Sequence, residues 1–151
     1  MRLSKFTDYS LRVCLYLGAH GGRRVSIAEI ARAHGLSQSN LMKVVTQLVD
    51  GGFVKSTRGR SGGIELASPP RAITVGAIAR YMEGDSAMVD CATCILHGKC
   101  GLVPALKRAK MAFYGYLEQI SLADALAANP ATLGILQDAA ADGTAPPLDA
   151  T

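Results

Sequence analysis

Apolar residues recur at helical spacing through most of this chain, with one stretch that reads as strand. Tyr9, Val13, Tyr16 and Leu17 share a face and predict a helix over 8–19, which Thr7 can cap and Gly21-Gly22 ends. Ser26-Ile-Ala-Glu29 has the form of a capping box, and opens a short helix over 27–34 that presents Ile27, Ile30 and Ala31. After a tight turn at Gly35-Leu36, Ser37 caps a third helix to about residue 50, with Leu41, Val44, Val45 and Leu48 on its apolar side. Residues 53–57 and 64–67 are strand-like and flank a Gly-rich loop, so they predict a hairpin. Helix, short helix, tight turn, helix and hairpin is the order of a winged helix-turn-helix.

Beyond Pro69-Pro70, Thr74 caps a helix to about residue 82 with Val75, Ile78, Ala79 and Met82 inward. A loop over 84–101 leads into a long helix over 102–120, roughly 28 Å at 1.5 Å per residue. Leu102, Leu106, Ala109, Phe113, Tyr116, Leu117 and Ile120 form its apolar stripe, more than a small winged domain can cover. Pairing with the same helix of a second copy would bury it, and a close crossing there would explain Gly115, a poor helix former. A short helix over 122–128 ends at Asn129-Pro130, and the Ala-, Gly-, Pro- and Asp-rich remainder predicts disorder. The fold class is therefore mainly α with a small β-hairpin. The predicted organisation is a winged helix-turn-helix unit over 1–68, a connecting helix and cysteine-rich loop over 69–101, a dimerisation helix and short helix over 102–129, and a largely disordered tail over 130–151.

Charge divides the chain. Residues 1–66 carry ten Lys/Arg and four Asp/Glu, a net +6, whereas 67–151 carry six and eight, a net −2. A basic winged unit points to a polyanion, double-stranded DNA. Ser37, Gln38, Ser39 and Asn40 open the third helix and Lys43 lies further along the same polar side. Amide, hydroxyl and ammonium groups at the start of a recognition helix suit base edges in the major groove. Arg58 and Arg60 tip the hairpin loop for the minor groove or phosphates, and Gly62 and Gly63 let its backbone come close to a surface. No apolar run is long enough for a membrane span and the first residues do not form a signal peptide, so the expectation is a cytoplasmic protein with no membrane partner.

Three of the four cysteines, Cys91, Cys94 and Cys100, crowd into ten residues, while Cys14 stands alone on a helix face as a small hydrophobe. The cluster admits a disulfide with a spare thiol, a zinc site completed by His97, or an iron–sulfur centre with its fourth ligand from elsewhere. Spacing alone leaves the last two nearly level. A small redox or metal enzyme is the rival from another class, but His20, His34 and His97 stand in unrelated places and no base is paired with a nucleophile. His20 and His34 adjoin glycines at helix ends and read as C-terminal capping groups.

The segment from Met1 to Arg12, the Arg58-Gly-Arg-Ser-Gly-Gly63 loop and three cysteines ahead of a long helix together resemble the winged-helix iron–sulfur transcription regulators, the IscR/NsrR family. The resemblance spans about residues 1–136. Phe6-Thr-Asp-Tyr9 and Ser121-Leu-Ala-Asp124 bring it nearest to the nitric-oxide-sensing repressors of that family. It implies a non-enzymatic, homodimeric repressor that binds an operator, with nitric oxide as signal; iron or redox status is the alternative. It further implies an iron–sulfur cluster, 4Fe–4S favoured over 2Fe–2S, on Cys91, Cys94 and Cys100, with Asp8 of the partner subunit as fourth ligand and Arg12 holding Asp8 in place. The spacing between Cys91 and Cys94 is shorter than that family usually has, which keeps His97 open as an alternative to Asp8.

Overall fold

In the computed structural model, which describes residues 2–142, the first helix α1 (Lys5–Ala19) starts before its apolar spacing predicts. Ser4, not Thr7, is the cap: its hydroxyl accepts from the Thr7 N–H at 3.2 Å and satisfies one of the free donors of the first turn. Thr7 is buried, and its hydroxyl donates instead to Glu83, far along the chain. Helix α2 (Ile27–His34) has the expected bounds, and Ser26 accepts from the Glu29 N–H at 3.1 Å. The return half of the capping box is not made, because the Glu29 carboxylate is taken by Tyr16 and Arg23. Gly35, at φ +61°, ends α2 in a left-handed conformation that a side chain would strain, and helix α3 (Gln38–Asp50) follows.

These three helices close on one core. Val13, Cys14, Tyr16 and Leu17 of α1 meet Ile30 and Ala31 of α2 and Leu41, Val44, Val45 and Leu48 of α3. Cys14 is fully buried, as its helical position predicts, and burial pushes its thiol up to about 12. The hairpin caps this core through Val54 and Ile64. Its strands β1 (Val54–Thr57) and β2 (Gly63–Leu66) pair antiparallel, with Val54 opposite Leu66 and Thr57 opposite Gly63. Val25 forms a bridge with Ile64 and adds a third, short rung to the wing.

A 3-10 turn, Pro70–Ala72, leads to helix α4 (Val75–Glu83), capped by the Thr74 hydroxyl at 3.2 Å from the Ala77 N–H. Helix α4 packs on α1 and on helix α5 (Leu102–Leu117), which ends a turn earlier than expected. Gly76 marks the close approach: a Cβ there would lie 2.4 Å from the Glu118 backbone nitrogen. Within one chain the stripe of α5 finds little cover. Tyr114, off that stripe, is the buried residue of α5 among those described, while Leu102 and Tyr116 of the stripe and the neighbouring Met111 are more than half exposed, and Gly115 faces open space within the chain. Helix α6 (Leu122–Ala127) carries a complete capping box between Ser121 and Asp124.

The tail expected to be disordered from residue 130 begins instead as a helix, α7 (Pro130–Asp142). Proline suits the first helical position, and alanine is the best helix former. Leu136, Ala139 and Ala140 rest on the core, and the Gln137 side-chain amide donates to the Ala19 carbonyl at 3.3 Å. A composition that predicts disorder therefore conceals an apolar face with somewhere to pack. Residues 143–151 of that expected tail lie outside the described residues.

Candidate functional site

Burying Leu41, Val44, Val45 and Leu48 turns the opposite side of α3 to solvent. Ser37, Gln38, Ser39, Lys43 and Gln47 are exposed there and Asn40 is half-buried. The Ser37 hydroxyl makes no capping bond; it pairs with the Ser39 hydroxyl at 2.9 Å. The N-terminal N–H groups of α3 thus stay free beside a row of polar side chains, which favours an anion such as a phosphate. Met42 and Thr46 are exposed on the same helix and were not singled out by sequence, because a methionine at helical spacing reads as core.

Arg58, Gly59, Arg60 and Ser61 project from the wing and are exposed. Gly62 and Gly63 serve the hairpin itself more than an approach to a partner. A Cβ on Gly62 would sit 2.4 Å from the Thr57 carbonyl, and one on Gly63, at φ +144°, would sit 2.8 Å from the Val25 carbonyl. Behind the wing, Tyr16 donates to Glu29 at 2.8 Å while Arg23 binds both Glu29 carboxylate oxygens. The Arg23 guanidinium is the main cause that holds the Glu29 carboxyl below the usual carboxylate range, and burial pushes the Tyr16 hydroxyl up to about 12. His20 caps α1 as expected, its Nδ1–H donating to the Tyr16 carbonyl at 2.8 Å. His34 does not cap; its Nε2 is buried without a partner among the described residues, and burial lowers its pKa.

The cysteine loop is a chain of turns. Cys94 N–H donates to Cys91 O, His97 N–H to Cys94 O and Lys99 N–H to Leu96 O, at 2.9–3.3 Å. His97 also donates Nδ1–H to the Cys91 carbonyl at 2.8 Å, which leaves its Nε2 as the nitrogen with a free lone pair. From α5, Lys110 donates to the Ser86 carbonyl at 2.6 Å and fastens the loop to the helix. Cys91, Cys94 and Cys100 are all unpaired thiols, and together with His97 they line one open cavity of about 1160 Å³ between the loop, α4 and α5. As a donor set, three thiolates and an imidazole fit a soft metal or an iron–sulfur centre. They are not drawn to ligand distance: among the described residues no three His, Cys, Asp or Glu side chains converge on one point.

Asp8 is not in that cavity. Arg12 grips both of its oxygens, at 2.9 and 3.0 Å, on the half-exposed side of α1. Sequence reasoning missed the residue that joins the two regions. Glu83, the last residue of α4 before the loop, accepts from the Ser4 N–H at 2.6 Å and from the Thr7 hydroxyl, so it holds the start of the helix that carries Asp8. Burial works to raise the Glu83 carboxyl, but the bonds from Thr7 and Ser4 outweigh it and keep it below the usual range. A contact so distant in sequence leaves no periodic signal.

A winged helix-turn-helix with a polar recognition face, joined to a cysteine loop and an uncovered apolar helix, defines the class: a DNA-binding transcription regulator. The family model described as "Rrf2: Iron-dependent Transcriptional regulator" matches residues 3–128, and the chain belongs to the Rrf2 family. It is 38% identical over 130 residues to the HTH-type transcriptional regulator NsrR of Bacillus licheniformis, covering 82% of this chain and 91% of that protein. Among solved structures it is similar to CymR, the global cysteine regulator of B. subtilis, at TM-score 0.71 and 30% identity over 85% of this chain and 98% of that one. It is likewise similar to T. potens IscR, at TM-score 0.70 and 32% identity over 87% and 90%. The resemblance drawn from sequence motifs is thereby shown at the level of the family. No helix among the described residues is long and apolar enough to cross a membrane.

Proposed function

We propose that the protein is a homodimeric, cytoplasmic repressor whose operator affinity is set by an iron–sulfur cluster on Cys91, Cys94 and Cys100, with nitric oxide as the signal. The observation that carries this reading is the set of three unpaired thiols lining one cavity, in the loop that follows the helix whose Glu83 anchors the start of α1. Likeness to NsrR relatives supports the choice of signal. When bound, the cluster, 4Fe–4S rather than 2Fe–2S, supplies iron that nitric oxide can attack.

This chain's own residues do the rest. The three thiolates hold the cluster in the loop, and the uncovered stripe of α5, with Gly115 open to a close neighbour, pairs with a second copy. Asp8 of the partner subunit supplies the fourth ligand. A carboxylate is a harder ligand than a thiolate, so its position is the one most readily given up. Arg12 orients Asp8, and Glu83 ties the loop to the start of α1. Ligation across the dimer thereby fixes the spacing of two recognition helices at about 34 Å or a multiple, the repeat of the duplex. Loss of the ligands releases that constraint.

A second reading replaces the cluster by zinc or thiol oxidation. It is favoured by the free Nε2 of His97 beside the thiols, and by likeness to CymR, whose name records a cysteine regulator. Anaerobic reconstitution with iron and sulfide discriminates. The account expects broad visible absorption that each of Cys91→Ala, Cys94→Ala and Cys100→Ala removes and His97→Ala leaves. A colourless protein that retains zinc, or visible bands that survive loss of the thiols, overturns it.

A further inference from the structure

We infer that Arg24 is a positioning residue for the wing: it fixes the loop that carries Arg58 and Arg60 in the orientation that reaches DNA. The inference rests on reading the wing as part of the DNA interface.

Two adjacent arginines end the α1–α2 connection, and they have different tasks. Arg23 is committed to Glu29 at the edge of the helical core. Arg24 points the other way, across the wing. Its Nη1 donates to the Ser61 carbonyl at 3.3 Å, and its Nε lies 3.8 Å from the Glu65 carboxylate on β2. One guanidinium thus reaches both the turn between the strands and the strand that follows, a two-point grip that its planar fork permits and a lysine ammonium does not.

The backbone beneath is fitted to the same purpose. Val25 exchanges both hydrogen bonds with Ile64, at 3.0 and 2.8 Å, and Gly63 lies so close that a Cβ would meet the Arg24 Cβ at 3.2 Å. This anchors the base of β2 but stops short of the tip. From 58 to 62 the loop closes on itself through one backbone bond, Gly62 N–H to Gly59 O at 3.0 Å, with Gly59 at φ +108°. A glycine-rich turn held by one bond samples many orientations unless a side chain restrains it. Arg24 is the side chain that does so, bonding the carbonyl of the residue next to Arg60. The cavity of about 470 Å³ between Gly22, Arg24, Ser61 and Glu65 leaves this bond open to solvent, beside the DNA-facing tip.

Positioning differs from a direct phosphate contact in what it predicts. A direct phosphate contact depends on charge, which a lysine keeps; a positioning contact depends on the guanidinium fork and acts through Arg60, so its loss takes with it only the salt dependence that Arg60 carries. The test titrates the full-length, anaerobically reconstituted protein on an operator duplex selected from a random-sequence pool, at several salt concentrations. Arg24→Ala and Arg24→Lys should each weaken binding about three- to tenfold, near the worth of one charge-assisted hydrogen bond, with an unchanged unfolding midpoint. In an Arg60→Ala background, Arg24→Ala should add no further loss. The inference is overturned if Arg24→Lys binds like the parent, if Arg24→Ala lowers the salt slope further in the Arg60→Ala background, or if the two losses add. Should Arg60→Ala lose affinity while both Arg24 variants keep it, this inference alone fails; if Arg60→Ala also binds normally, the reading of the wing fails with it.

Discussion

The DNA-binding unit and the cysteine-loop region are built to different standards of completeness. In the first, α1, α2, α3 and the hairpin fully bury large side chains, among them Tyr16, Ile30, Leu41, Leu48 and Ile64, and Glu29 and Arg23 neutralise one another at its edge. In the second, α5 buries Tyr114, Ile95 of the loop is 99% exposed, and three thiols face an open cavity. One region is finished by its own sequence. The other presents thiols and apolar surface with no complement among the described residues, which is the state from which the proposed cofactor and second subunit would complete it.

That contrast can be broken at its strongest point first. Ile30→Ala should lower the unfolding free energy by about 2–5 kcal/mol, because the cavity it leaves lies among fully buried neighbours. Leu102→Ala, on exposed α5, should change monomer stability by less than about 0.5 kcal/mol and weaken self-association instead. Denaturant titration and analytical ultracentrifugation measure the two, and equal destabilisation would erase the distinction.

A smaller effect concerns acid. The folded pKa of Glu29 is depressed by Arg23, so its stabilisation is complete above the unfolded glutamate range and is lost as pH falls through the folded value. Glu29→Gln should cost about 1–2 kcal/mol at neutral pH and flatten the acid side of a stability–pH curve. A mutant curve parallel to the parent's would show that the pair is not linked to folding.

Smallest of all is Asp8→Asn in metal-free protein. An exposed i,i+4 pair contributes about 0.3–0.5 kcal/mol, so thermal unfolding should hardly move, whereas cluster retention after anaerobic reconstitution should fall. A loss of more than about 1 kcal/mol without metal would make Asp8 a structural residue.

The same contrast governs how far the sequence could be read. Elements with their own core, such as α2 with Ile30 and α3 with Leu41 and Leu48, announce themselves through apolar spacing and caps. Helix α7 did not, because its large apolar residues do not keep to one face: Leu133 and Ile135 are exposed while Leu136 packs inward with Ala139 and Ala140, and that packing is decided by tertiary contact. The start of α1 was misjudged for a related reason: Thr7 is a good cap by type, but burial against Glu83 leaves that role to Ser4. At the site, residue chemistry drew notice to Cys91, Cys94, Cys100 and His97, which one cavity gathers. Glu83 and Arg24 act through partners more than thirty residues away, and no local pattern carries that information.

The central claim is that the state of the cysteine site sets the grip on DNA. Operator titration of the reconstituted dimer, before and after nitric oxide and again without metal, tests it directly. The account predicts tight binding by the loaded protein and a loss of about 5- to 150-fold in the other two states, the range of a 1–3 kcal/mol coupling. One affinity shared by all three forms would contradict it.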